Sequence, residues 1–90
     1  MGMTMRIEIE LFGALRAMEP EGSVHLTIRD GACIADLRRV LEAHALQGWA
    51  RYQPGTLQCC AFADDMALLR DRDPVPAHGR IAVLMPVSGG

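Results

Sequence analysis

The chain has 90 residues, half of them apolar, and its formal charge at pH 7 is −2. A chain of this length can build one small core, so we expect a single domain made of one sheet and one helix. The slight negative charge and the scattered arginines argue against nucleic acid as a partner. No apolar run approaches the ~18 residues that predict a membrane span, and the first residues lack a signal-peptide pattern. We therefore expect a cytoplasmic protein.

The first two periodic segments predict a β-hairpin. Residues 5–12 alternate between apolar side chains, such as Ile7 and Ile9, and charged ones, such as Glu8, which is the pattern of a half-buried strand. Residues 23–29 alternate in the same way, with Val24 and Ile28 directed inward. The residues between them, 13–22, break the period and predict a rather long loop.

The period then changes to that of an amphipathic helix, which begins after Asp30-Gly31 and ends near Gly48. The predicted inner face and the predicted solvated face each hold four residues. They are Ile34, Leu37, Val40 and Leu41 inside, and Asp36, Arg38, Arg39 and Glu42 outside. Residues 47–56 contain Trp49 and Tyr52 and are predicted to form a loop packed over one edge of the core.

Three strands are predicted in the second half of the chain. Residues 57–63 are expected to form a strand of small residues, and residues 66–69 a short one after the Asp64-Asp65 turn. The apolar run in residues 80–85 lacks alternation and predicts a central strand covered on both faces, which Pro86 ends. The element order indicates an α+β fold with a mixed sheet on one main helix, the outline of a β-grasp; periodicity alone leaves a ferredoxin-like arrangement open.

Cysteines and histidines supply no recognisable metal or disulfide pattern. The three cysteines are an odd number and two of them are adjacent, which argues against both kinds of site. Neighbouring strand residues point to opposite faces, so we expect one of Cys59 and Cys60 to fill the core and the other to be partly exposed. The histidines are far apart in sequence and are predicted to be surface or turn residues: His25, His44 and His78.

The last residues form the candidate site. We divide the chain into a folded domain, residues 1–86, and a tail, residues 87–90, that ends in Gly89-Gly90. Glycine lacks Cβ, so a tail of this kind allows close approach to a partner's backbone. A C-terminal carboxylate becomes reactive once a partner adenylates it with ATP, and this chemistry requires no catalytic group in the carrier. The chain contains no catalytic triad, phosphate loop or metal motif, so we do not expect an enzyme.

Several segments resemble the sulfur-carrier family that contains the molybdopterin synthase small subunit and the thiamine sulfur carrier. These segments are residues 6–16, which include Leu11-Phe12-Gly13, residues 34–37 and the ending Pro86-Val-Ser-Gly-Gly90. The resemblance implies a ubiquitin-like β-grasp fold. It also implies that a ubiquitin-activating-type enzyme adenylates Gly90, which is then thiocarboxylated. No bound cofactor is implied, because ATP and magnesium are used by that partner.

The resemblance further implies how the carrier meets its sulfur acceptor. Val87, Ser88 and Gly89 would thread into the molybdopterin synthase large subunit. The domain would dock through residues near the tail, which are Phe12, Val83, Leu84, Met85 and Pro86. Two alternatives stay open: a carrier serving thiamine or another sulfur-containing metabolite, and a ubiquitin-like protein modifier or interaction module. One departure from the family concerns Cys33, which stands where Thr or Ser commonly caps the helix; a thiol is a weaker acceptor there.

Overall fold

The computed structural model describes residues 2–85. Their element order is strand β1 (Thr4–Leu11), a 3-10 turn (Gly13–Met18), strand β2 (Ser23–Arg29), helix α1 (Ile34–Gly48), a second 3-10 turn (Thr56–Cys59) and strands β3 (Ala61–Ala63), β4 (Leu68–Leu69) and β5 (Arg80–Leu84). The sheet order is β2-β1-β5-β3-β4. Strands β1 and β5 are parallel, and the other neighbours are antiparallel. This mixed sheet on one main helix is a ubiquitin-like β-grasp fold, as the sequence predicted.

The helix covers one face of the sheet, and the core lies between them. The alternation predicted for β1 is confirmed: Ile7, Ile9 and Leu11 are buried and the residues between them are exposed. From the helix, Leu37 and Leu41 reach the same core cluster. Burial of about ten large apolar side chains at roughly 1.5–3 kcal/mol each is the main force that holds the helix on the sheet.

Strand β5 is central, as predicted, but only one of its faces is buried. Ile81 and Val83 lie in the core, whereas Ala82 and Leu84 are half-buried. The unbroken apolar run suggested cover on both faces, and this was wrong because α1 packs against one face only. The opposite face of the sheet is open.

Two further corrections concern strand lengths. Residues 57–59 form part of a 3-10 turn instead of a strand: Gln58 N–H bonds the carbonyl of Gly55, whose φ is 90°. The predicted strand 66–69 is reduced to Leu68–Leu69, because the Asp64 carboxylate accepts the N–H groups of Met66 and Ala67 and holds them in a turn. Local hydrogen bonds of this kind compete with sheet pairing.

The loop after the helix packs on the core through its aromatic residues, as predicted. Trp49 and Tyr52 are buried and meet edge to face, with ring centroids 5.7 Å apart. The Tyr52 hydroxyl donates to Glu42 and accepts the N–H of Leu57. Burial, together with the Glu42 hydrogen bond, raises the pKa of Tyr52 to about 12. The phenol therefore stays protonated and joins α1 to the second 3-10 turn.

The predicted helix faces are most clearly wrong for Arg38. It was placed on the solvated face, but only 9% of it is exposed. Its guanidinium donates to the carbonyls of Leu57 and Cys60 and to the carboxylate of Asp71. The signal was present in the spacing, since position 38 follows Ile34 by four and precedes Leu41 by three and so shares their side of the helix.

Candidate functional site

The predicted tail, Val87 to Gly90, and Pro86 lie outside the described residues, so the threading and sulfur-attachment predictions stay predictions. The structure does show the strand that leads to them. β5 pairs in parallel with β1 and antiparallel with β3, which fixes it by hydrogen bonds on both sides. The register brings Leu11 opposite Val83, and Phe12 N–H donates to the Val83 carbonyl at 3.1 Å. The base of the tail is therefore attached to the middle of the sheet.

The residues predicted to dock a partner differ in their exposure. Phe12, Leu84 and Met85 are half-buried, and Met85 packs against the edge of the core. Val83 is fully buried and belongs to the core itself. Its inclusion among the docking residues is therefore corrected: alternation turns it toward α1 and turns Leu84 toward the open face. For Phe12, Leu84 and Met85 docking stays a prediction.

The open face of the sheet is divided into an apolar half and a charged half. Around the end of β5, apolar residues share this face in register: Leu84 is opposite Ala61, and Ala82 is opposite Ala63. Leu68 on β4 is opposite Ala63 and is exposed. The apolar half thus begins beside the base of the tail and extends to the β4 edge.

The charged half lies over β1, β2 and the start of β5. Glu8 is opposite both His25 and Arg80, and its carboxylate lies 4.0 Å from the Arg80 side chain. A shallow cleft on this side is lined by both signs of charge: Glu8, Glu10, Arg16, Glu21 and Arg80. Exposed ion pairs of this type contribute little to stability. The mixed charges also give no positive surface that would recognise a polyanion.

Among residues 2–85, one group of possible metal ligands comes together, formed by Asp64, Asp65 and His78, with ligand atoms within 4.8 Å of one another. His78 Nδ1 accepts the N–H of Arg80, so the neutral ring carries its proton on Nε2. That nitrogen faces Asp65 at 3.8 Å and has no free lone pair for a metal. The backbone N–H groups on Asp64 lower its pKa. The arrangement is that of hydrogen-bonded turns, which agrees with the turn role predicted for His78.

The adjacent cysteines divide as predicted. Cys60 is buried and Cys59 is exposed, and all three thiols are unpaired. Burial raises the pKa of Cys60, so this thiol stays protonated and unreactive at neutral pH. Cys33 is half-buried at the start of α1, and its N–H and thiol both donate to Asp36.

No described helix is long and apolar enough to cross a membrane. The fold and the strand order of residues 2–85 define a ubiquitin-like β-grasp protein. No protein-family model and no curated protein matches the sequence.

Two solved structures from Haloferax volcanii are similar to this chain. The crystal structure of SAMP1 has a TM-score of 0.68 and 22% identity, covering 94% of this chain and 99% of its own. The solution structure of the HVO 2177 protein has a TM-score of 0.57 and 25% identity, covering 97% of this chain and 88% of its own. The sequence-based resemblance is thereby confirmed for the ubiquitin-like fold, while its molybdopterin and thiamine branches stay predictions.

Proposed function

We propose that this chain is a ubiquitin-like sulfur carrier whose C-terminal Gly90 is adenylated and thiocarboxylated. Its most specific role would be that of the small subunit of molybdopterin synthase. The observation that carries the proposal is the position of β5: a central strand, bonded on both sides, leads directly into the sequence Pro-Val-Ser-Gly-Gly. A rigid body with a slender glycine end suits delivery of an acyl group into a partner's active site, since glycine permits close backbone approach.

The chemistry requires a partner for every bond change. A carboxylate oxygen of Gly90 attacks the α-phosphorus of ATP, which releases pyrophosphate and leaves an acyl adenylate. Hydrosulfide from the sulfur donor then attacks the carbonyl carbon, AMP departs with the electron pair of the broken C–O bond, a proton is lost to solvent, and the chain ends in a thiocarboxylate. The thiocarboxylate sulfur then bonds to a carbon of the acceptor, and water cleaves the acyl C–S bond, which leaves the sulfur on the acceptor and restores the Gly90 carboxylate. The activating enzyme supplies ATP and magnesium, so the carrier contributes the end group and the docking surface.

Thiocarboxylate formation is the direct test. The chain is incubated with a ubiquitin-activating-type enzyme from the same genome, ATP, magnesium and a sulfur donor, and its intact mass is measured. We expect the mass increase that replacement of one oxygen by sulfur produces, and no increase for a Gly90 deletion. A verified activating enzyme that adenylates a second carrier but leaves this chain unchanged would disprove the proposal.

The acceptor is tested separately with the thiocarboxylated chain. Addition of the molybdopterin synthase large subunit and cyclic pyranopterin monophosphate should yield the dithiolene product and return the chain to its carboxylate mass. A stable thiocarboxylate that never yields dithiolene would reject the molybdopterin role. The chain would then remain a candidate sulfur carrier for thiamine or another sulfur-containing metabolite.

Threading of the tail is tested by Gly89→Val. The added side chain should block a narrow channel while leaving the fold intact, because position 89 lies beyond the last strand. We expect an unchanged urea midpoint and a loss of sulfur transfer. A Ser88→Ala variant controls for a general effect of altering the tail. Full transfer by Gly89→Val would contradict the threading mechanism.

A protein modifier is the second candidate, and the fold likeness to SAMP1 over nearly the whole chain is the observation that favours testing it. In that case the activated Gly90 would form amide bonds with amines of other proteins. Isopeptide-linked adducts that disappear when Gly90 is deleted, in cells where no thiocarboxylate forms, would favour this candidate over the carrier.

A further inference from the structure

The chain contains no lysine. All nine of its basic residues are arginines, and with the exception of Arg38 they are exposed. A guanidinium stays protonated at every physiological pH and offers no lone pair, whereas a lysine ammonium can lose its proton and attack an acyl group. The described surface is therefore positively charged at many points but carries no side-chain amine nucleophile.

The remaining nucleophiles of the chain do not replace lysine. Cys60 is buried and its pKa is raised, which keeps it in the thiol form. Cys59 is exposed, but a thioester formed there would itself be an activated acyl group that passes on to another nucleophile. Side-chain hydroxyls give esters, which hydroxylamine cleaves. No side chain of these 90 residues can therefore hold a lasting amide.

We propose that the chain, once activated, donates its C-terminal acyl group without lastingly modifying side chains of its own kind. Resting on the function proposed above, this means that its activated Gly90 can pass to sulfur or to an amine of another protein but cannot form a lasting amide with a side chain of a second copy. When an amine accepts it, the nitrogen bonds to the carbonyl carbon, the leaving group departs with its electron pair and the amine proton passes to solvent. A copy attached to an acceptor amine thus offers no side-chain amine for a second copy, and branched chains of this protein do not form.

The test uses the full chain prepared as a C-terminal thioester at Gly90 by intein cleavage with 2-mercaptoethanesulfonate, with the N-terminus acetylated. It is concentrated at mildly alkaline pH with and without Nα-acetyl-lysine amide as the amine probe. The variant Arg80→Lys places an amine at an 81% exposed position of β5, and Arg80→Gln is the matched control that removes the charge without adding an amine. Products are treated with hydroxylamine and analysed by intact mass and peptide mapping.

We expect the probe adduct from all three proteins. Dimers that survive hydroxylamine should form with Arg80→Lys alone, linked at position 80, and be absent from the original chain and from Arg80→Gln. Hydroxylamine-resistant dimers of the original acetylated chain would overturn the inference. Because the thioester is made chemically, this outcome does not depend on an activating enzyme. Failure of the carrier proposal would show instead as missing thiocarboxylate in the enzymatic test.

Discussion

At the scale of single residues, the start of α1 shows how a weak cap is compensated. Cys33 occupies the cap position, but its thiol donates to Asp36 at 3.4 Å and its N–H donates to the same carboxylate at 3.1 Å. The next two N–H groups, of Ile34 and Ala35, bond to carbonyls of residues 73 and 71. The helix terminus is therefore held by an acidic side chain and a neighbouring loop, while a negative charge lies near its positive end.

The first prediction concerns the pH dependence of stability at this carboxylate. The Cys33 N–H, the Arg39 side chain and the Cys33 thiol lower the pKa of Asp36 from 3.8 to about 2. A lowered folded pKa contributes stability that is present above the unfolded value and is lost as the pH falls through the folded value. Asp36→Asn should therefore flatten the stability profile between about pH 4 and pH 2, as measured by urea unfolding with Trp49 fluorescence.

The matched control is Asp30→Asn, an exposed carboxylate just before the helix. It should leave the shape of the profile between those pH values unchanged. If Asp36→Asn retains the full acid-induced loss of stability, then Asp36 does not carry the effect and the described hydrogen bonds do not control its protonation.

A second residue-scale prediction is that Cys33→Ser stabilises the domain. A hydroxyl is a better hydrogen-bond acceptor than a thiol for the Asp36 N–H, the donor that a capping side chain at position 33 accepts, and good caps contribute about 1 kcal/mol. The free energy of unfolding should rise by roughly 0.5–1 kcal/mol. Cys59→Ser, at an exposed position of the 3-10 turn, should change it little. Equal effects of the two substitutions would show that the gain does not come from capping.

At the scale of elements, sequence patterns predicted what local periodicity controls. The alternation in β1 and β2 and the helical spacing of α1 agree with the structure, because each of these elements buries one face. Residues 57–59 have an equally apolar pattern, yet contacts distant in sequence decide their conformation: the Tyr52 hydroxyl accepts the Leu57 N–H and Arg38 binds the Leu57 carbonyl. Such contacts take up the backbone groups that a strand would have used, and no local pattern reveals them.

The turn before β5 depends on one glycine. Gly79 has a φ of 73°, and its carbonyl accepts the Glu8 N–H at 2.7 Å, which starts the pairing of β5 with β1. A Cβ at this position would lie 2.7 Å from the backbone oxygen of Arg6. The position therefore excludes side chains for two reasons, the left-handed backbone and the close approach of β1.

The third prediction separates these two reasons. Gly31 also has a positive φ, of 85°, but an added Cβ there meets nothing within 4 Å. Gly31→Ala should cost about 1–2 kcal/mol, the left-handed penalty alone. Gly79→Ala should cost clearly more, because rigid backbone must move at the centre of the sheet. Urea midpoints measure both. Equal losses would mean that the β1 and β5 strands separate without penalty.

At the scale of the whole molecule, the sequence revealed the fold and the candidate tail more readily than the surface beside the tail. The motif Gly89-Gly90 is visible because small residues are read directly from the chain. Val83, by contrast, was assigned to docking from its position near the tail, although the one-sided cover of β5 places it in the core. Which face of a central strand is open depends on where the helix packs, and this emerges only from the assembled layers.

The buried Arg38 joins three parts of the molecule, and it supports the last prediction. Its guanidinium links α1 to the carbonyls of Leu57 and Cys60 and to Asp71 in the loop before β5. It also lies over the face of Phe62, with the Arg38 Cζ 4.6 Å from the ring centroid. Asp71 is largely exposed, so the ion pair itself contributes little. The larger effect comes from the two carbonyls, which would lose the guanidinium as a donor inside the protein.

We expect Arg38→Met to lower the free energy of unfolding by about 2–4 kcal/mol, since a methionine fills the volume but removes a charged donor from two buried carbonyls, of which that of Leu57 keeps only the Cys60 N–H. The neighbouring Arg39 offers the matched control, because it is 72% exposed and pairs with Asp36 at the surface. Arg39→Met should cost about 0.5 kcal/mol or less. Urea unfolding with Trp49 fluorescence compares them. Asp71→Asn, which keeps the arginine, should resemble the control. If Arg38→Met proves as stable as Arg39→Met, then apolar packing alone holds α1 on the second half of the sheet.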